Sequence, residues 1–307
     1  MTSANTESKK KKAPRYQTRL VLFLDFLGFK EHVERSAREP AHLARLVAAM
    51  DIVGGIGASH KGVLKSQKVT QFSDSIVVSY KVSEPSAVFL LLNEIAFGVL
   101  DLAERGFLVR GGVTVGKLYH SKRHVVGPAM NEAYRLESKV AKYPRVLIDP
   151  KVLKVARAAR RSEHSPEDEA GYVSDFMTKD TDGHYFFDYV SWRSVVAITG
   201  GDNDLYADYL GCLSILIRDG LRHDDASVQE KFLWLRRRYK AAIEEIKAIP
   251  ANHPYRAENG AMCEVIAGLP IFRIDTKLAK AAVKAAAKAK VMAKPGSRTR
   301  RRRARSD

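Results

Sequence analysis

Arg19-Leu20-Val21-Leu22-Phe23-Leu24-Asp25-Phe26-Leu27-Gly28-Phe29 is the stretch on which the fold turns. A continuous apolar run that ends on a carboxylate reads as a strand buried on both faces. Gly28 then turns the chain into a helix. Working outward, Leu43, Leu46, Val47 and Met50 recur at helical spacing and predict a helix over 41–52. Runs at 63–72 and 75–80 flank Ser73-Asp74 and read as a hairpin with Asp74 at its tip. Residues 86–105 read as a long buried helix ended by Gly106, and 107–118 as a strand containing Gly111 and Gly112. Pro128 opens a helix to Ala141, and 145–148 is a further strand. Strand, helices, hairpin, helix, strand, helix, strand is the order of an α+β sandwich of ferredoxin-like type.

Downstream, 185–189 and 195–198 read as strands, and 203–250 as helical, with Tyr206, Leu210, Leu213 and Ile217 along one face. Gly200-Gly201-Asp202-Asn203-Asp204 is read as a capping loop before Leu205. The expected organisation is a basic tail (1–14), a catalytic domain (15–200), a helical extension packed on it (201–275), an Ala/Lys helix (276–293) and a second basic tail (294–307).

The chain has 307 residues, 45% hydrophobic and 28% charged, with two cysteines, which is ordinary globular composition. Cys212 and Cys263 provide neither a disulfide framework nor a CxxC knuckle, which favours a reducing cytoplasm. The longest apolar stretch, 87–100, is broken by Asn93 and Glu94 and falls short of the roughly 20 residues of a membrane span. The net charge of +17 belongs to the ends: residues 1–14 carry +3 and 276–307 carry +11. Such tails can bind polyanions non-specifically, but a balanced body without a recognition motif argues against a nucleic-acid-binding protein.

Asp25 and Asp74 are the first candidates for chemistry. Paired strand-end carboxylates suit hard divalent cations, which prefer oxygen ligands and bridge them to phosphate. The turn Leu27-Gly28-Phe29 leads into a helix N-terminus whose free N–H groups can hold phosphates. Asn131 and Arg135, four residues apart, share a helix face, where an amide and a guanidinium suit a ribose and a reacting phosphoryl group.

These residues carry a resemblance. Asp25-Phe26-Leu27-Gly28-Phe29 resembles the first metal motif of the class III nucleotide cyclases. Phe72-Ser73-Asp74 resembles the family's Gly-Asp hairpin, with Ser73 in place of Gly, and Arg110 to Gly116 resembles its glycine-bearing strand. Gly127-Pro128-Ala129-Met130-Asn131-Glu132-Ala133-Tyr134-Arg135-Leu136-Glu137 resembles its Asn/Arg helix. The four blocks stand in family order across 19–150. The resemblance implies that Asp25, Asp74 and the backbone carbonyl of Phe26 hold two Mg²⁺ or Mn²⁺ ions. It further implies that Asn131 orients the ribose, that Arg135 stabilises charge at the α-phosphate, and that a homodimer forms two composite sites. Lys179 is the candidate for gripping the terminal phosphates.

The departures bear on substrate. Adenylate cyclases have Lys where Thr70 stands and Asp where His124 stands, and the guanine-reading Glu/Cys pair is absent too. The chain is therefore most similar to the pyrimidine cyclases of bacterial anti-phage (Pycsar) systems, which signal to a separate effector protein. This implies UTP, ahead of CTP, as substrate. The rival readings are a purine cyclase with atypical base readout and a non-catalytic cyclase-homology module that dimerises.

Overall fold

The computed structural model describes residues 13–56, 64–198, 200 and 203–272. The Ala/Lys segment at 276–293 and the tail at 294–307 lie outside the described residues, as do residues 1–12 of the N-terminal tail. The first half runs β1 (Gln17–Phe26), α1 (Phe29–Ser36), α2 (Pro40–Gly55), β2 (Lys68–Phe72), β3 (Ser75–Lys81), α3 (Ala87–Glu104) and β4 (Val109–His120). β5 (Val125–Val126), α4 (Pro128–Arg135) and β6 (Val146–Ile148) follow. Then come α5 (Lys151–Ala158), α6 (Pro166–Ser174), β7 (Thr178–Lys179), β8 (Tyr185–Phe186) and α7 (Trp192–Ile198). Four more helices complete the described chain: α8 (Asn203–Leu221), α9 (Ala226–Lys247), α10 (Pro254–Glu258) and α11 (Gly260–Gly268).

The sheet order is β2-β3-β1-β4-β6-β8-β7, with β5 paired to β4 at the side. Every pairing is antiparallel except β4 with β6. Its first four strands and the helices between them make the ferredoxin-like unit expected from the sequence.

Period-2 geometry sends alternate residues of β1 to opposite faces. Leu20, Leu22, Leu24 and Phe26 enter a large core with α2 and α3, and the buried stripe of α8 (Tyr206, Leu210, Leu213, Ile217) joins the same core. Arg19, Val21, Phe23 and Asp25 face the other way, where α4 is the main cover over a small cluster of Val21, Phe23, Val77, Leu118, Ala129 and Ala133. Asymmetric covering leaves functional side chains on one face and places most of the apolar burial on the other.

Two features differ from the sequence reading. Residues 195–198 belong to α7 rather than to a strand. Strand β7 already occupies the outer side of β8, and the Asp188 carboxylate accepts from the N–H groups of Val190 and Ser191 to start a helix. Tertiary context overrides the β-branched run. The second feature is the end of the α4 segment, where Leu136–Ala141 winds as a π-helix.

Candidate active site

The site begins where β1 ends. Asp25 sits in register with Ser75 of β3 and Arg110 of β4. Ser75 Oγ donates to Asp25 Oδ1 at 2.6 Å, and the Arg110 guanidinium lies 3.8 Å from Asp25 Oδ2. The β2–β3 turn has two central residues, and it brings the Asp74 carboxyl against that of Asp25. Burial raises the Asp25 pKa, the Ser75 hydrogen bond opposes that, and the negative Asp74 raises it further.

Arg110 also meets Glu137 Oε1 at 2.5 Å, and the Glu137 side chain is only 3% exposed. The π-helical turn carries Glu137 down into this position. Burial pushes its carboxyl upward, Arg110 pulls it down, and Asp25 adds repulsion. Three carboxylates and one guanidinium leave the cluster with a deficit of positive charge. Its donors are hard oxygens, which fits a divalent cation such as Mg²⁺ or Mn²⁺ at Asp25 and Asp74. Among the described residues no group of three or more His, Cys, Asp or Glu side chains is arranged to hold a metal, so water or phosphate oxygens would complete the shell.

Gly28 gives the turn after β1 its shape, with φ 73° and ψ 25° in the left-handed region. Leu27 N–H donates to Leu108 O at 2.8 Å, and Gly28 O accepts from Glu31 N–H, which hands the chain on to Phe29 and α1. Ser73 takes a positive φ of 53° while Asp74 does not, the pattern of a II′ turn, whose first central position suits glycine.

Helix α4 lies directly on the strand backbone. A Cβ added to Gly112 would come within 2.6 Å of the Leu136 side chain and 3.0 Å of Ala133 O, so the seat requires glycine. Asn131 and Arg135 are both exposed on α4. Arg135 Nε and Nη2 each donate to Glu132 at 2.8 Å, with Asp149 as its other acidic neighbour. These are not the neighbours of Asp25. Within one chain the two predicted halves of the site face different partners.

Thr70 Oγ1 lies 2.8 Å from His120 Nε2, and His120 Nδ1 lies 2.8 Å from Ser79 Oγ, which accepts from Arg19 Nε at 2.8 Å. Burial, with Arg19 and Lys68 nearby, lowers the His120 pKa to about 4, so the imidazole is neutral near pH 7. A neutral ring has one donor and one acceptor. Ser79 Oγ accepts from Arg19 and, among the described residues, His120 Nδ1 is the acceptor within reach of its own proton. Nε2–H therefore donates to Thr70 Oγ1.

Other predicted residues lie apart. His124 is exposed in the β4–β5 turn, its N–H on Ser121 Oγ; the histidine that reaches Thr70 is His120, four residues earlier. Lys179 lies on β7, at the opposite edge of the sheet from β2, with Nζ 5.8 Å from the Tyr185 ring centre. Arg110, Glu137 and His120 are the site residues that sequence reasoning did not assign. Arg110 and Glu137 stand inside the quoted motif blocks, while nothing local marks His120.

No family model and no curated protein matches the chain. Among solved structures, two of a bacterial light-regulated adenylyl cyclase are similar, each 13% identical to the chain, with TM-scores of 0.38 and 0.36. Each match covers 53% of this chain and 57% or 58% of the other, so it spans little more than half of those chains. Among the described residues no helix is long and apolar enough to cross a membrane.

Proposed function

We propose that this chain is a nucleotide cyclase that converts UTP, ahead of CTP, to the 3′,5′-cyclic monophosphate and pyrophosphate. The observation that carries the reading is the convergence of Asp25 and Asp74 on the sheet face that also bears α4, with its exposed Asn131 and Arg135. Asp25 and Asp74, with the Phe26 carbonyl, are the residues that would hold two divalent cations. Bound there, the cations supply a Lewis acid that eases ionisation of the ribose 3′-hydroxyl and neutralises phosphate charge.

The hydroxyl gives up its proton to solvent, its oxygen attacks the α-phosphorus, and the bond from that phosphorus to the bridging oxygen of the β-phosphate breaks to release pyrophosphate. Asn131 would fix the ribose, and Arg135 would meet charge building on the α-phosphate. Its present partner is no obstacle. The Arg135–Glu132 pair is exposed, and such pairs contribute about 1 kcal/mol or less, so a phosphate can displace it.

A second copy of the chain would complete the site. This is supported by the separate surroundings of Asp25 and Arg135, and by the half-exposed rings of Phe72 and Tyr134 at 49% and 52%. The pyrimidine preference rests on Thr70, a short hydroxyl where a purine reader would stand, and the cyclic product would act on a separate effector in anti-phage defence.

The test is to incubate the protein with each ribonucleoside triphosphate and Mn²⁺, then measure pyrophosphate and identify the cyclic product. UTP should outpace ATP and GTP about a hundredfold or more. Asp74→Asn and Arg135→Ala should each abolish turnover, and mixing the two inactive proteins should restore part of it. Pyrophosphate release from none of the four substrates would sink the cyclase reading; cyclic AMP or cyclic GMP as the main product would sink only the pyrimidine preference.

A further inference from the structure

At the end of β1 remote from Asp25, roughly 20 Å away along the strand, lies a cleft of about 670 Å³. Its walls carry five cations (Arg15, Arg19, Lys65, Lys68 and Lys81) and no carboxylate. Among the described residues Arg15, Lys65, Lys68 and Lys81 have no acidic partner within salt-bridge distance. Glu84, the nearest acid to Arg19, is engaged by the Ser66 N–H at 2.8 Å.

Arg19 is the informative member. It is only 2% exposed, yet its guanidinium is held entirely by neutral acceptors: Ser79 Oγ, Ser79 O, Ser66 O and Gln17 Oε1. A buried cation normally has a carboxylate partner, because desolvation without one is costly. These bonds use four of its five N–H donors and leave one Nη1 hydrogen free.

We infer that this cleft is a binding site for a compact oligophosphate, such as inorganic pyrophosphate or tripolyphosphate or the phosphate chain of a nucleotide. One phosphate would answer at most two of the five charges, whereas two or three linked phosphates match the set. The volume is that of a small-ligand pocket rather than of an extended groove. The inference rests on the cations and not on the cyclase reading: no lining residue belongs to the Asp25/Asp74 cluster, and the cleft meets the candidate active site only at His120, the partner of Thr70.

The test uses the full chain without divalent cations, at low ionic strength, with inorganic tripolyphosphate titrated calorimetrically. Lys68→Gln combined with Lys81→Gln should weaken binding on the order of tenfold. Both lysines are exposed, so the variant should melt with the parent. Tripolyphosphate should raise the melting temperature of the parent and leave that of the double variant nearly unmoved.

Arg301→Gln combined with Arg302→Gln makes the same charge change in the tail and should leave the affinity intact, as should Asp25→Asn. Equal losses in the cleft and tail variants would reduce the effect to bulk charge and overturn the site. A further titration with UTP and ATP separates the sources: similar affinity for all three ligands shows that the phosphates are read. Binding of nucleotides without any binding of tripolyphosphate would overturn the assignment.

Discussion

Arg145 and Arg19 are both buried arginines on the same sheet, and their surroundings could hardly differ more. Arg145, fully buried beside β6, meets Asp180 and Asp182, and its guanidinium lies 5.2 Å from the Tyr143 ring centre. Asp180 in turn accepts from Trp234 Nε1 at 2.8 Å and from Arg238 at 3.0 Å, both on α9. That network ties α9 to the β7–β8 edge. On β1, an interior strand, Arg19 has only neutral acceptors, and burial lowers its pKa to about 10. One region has its charges matched within the chain and is structural. The other keeps an unmatched charge beside an open cleft, where a ligand can meet it.

The largest effect expected is at the matched end. Arg145→Ala takes a partner from the buried Asp180, as well as from the exposed Asp182, and breaking such a buried network costs about 3–5 kcal/mol. Arg19→Met gives up four hydrogen bonds but also relieves the cost of burying a charge without an ion pair, and the net loss should be about 1–2 kcal/mol. Urea unfolding of both variants measures the order, and a larger loss at Arg19 would break the comparison.

Acid should separate the regions as well. The His120 pKa is lowered from 6.5 to about 4, so the unfolded chain takes the proton more readily than the folded one. Its contribution is full above pH 6.5 and is lost as the pH falls toward 4. His32, also lowered to about 4, acts in the same direction, so the diagnostic is the difference between proteins. His120→Gln should lose less stability across that interval than the parent.

At the Arg145 end, burial would raise the Asp180 pKa, but Trp234, the Thr181 N–H, Arg238 and Arg145 together lower it below 3.8. That stability is present above the ordinary carboxylate value and is lost only below it. Asp180→Asn should therefore flatten the unfolding profile at more acid pH, leaving the interval above 4 alone.

The smallest effect is at the β2–β3 turn. Ser73→Gly removes the left-handed strain beside Asp74 and should stabilise by about 1 kcal/mol without moving either arginine region. A raised melting temperature would show it.

What the sequence revealed follows the same division. β1, α3 and β4 were legible because their apolar runs are long, and Asp25 and Asp74 because a carboxylate closing such a run or a hairpin is conspicuous. The Arg145 network was not, since its partners lie 35, 37, 54 and 58 positions apart along the chain. The Thr70–His120 contact spans 50 positions and joins strands that do not pair with each other, so nothing local points to it, and the family motif singles out His124 instead. The π-helical turn has no sequence period of its own, and Glu137 went unassigned with it.

Gly112, beneath α4, matters to anyone re-engineering this face. With no side chain on the strand at this point, the height of Asn131 and Arg135 above the sheet is set by how closely Leu136 and Ala133 O approach the Gly112 backbone. The exposed Tyr134 of α4, and Lys139 on the π-helical turn after it, can be varied while that datum stays put. A methyl at position 112 would act as a shim, tilting the helix and carrying both side chains with it.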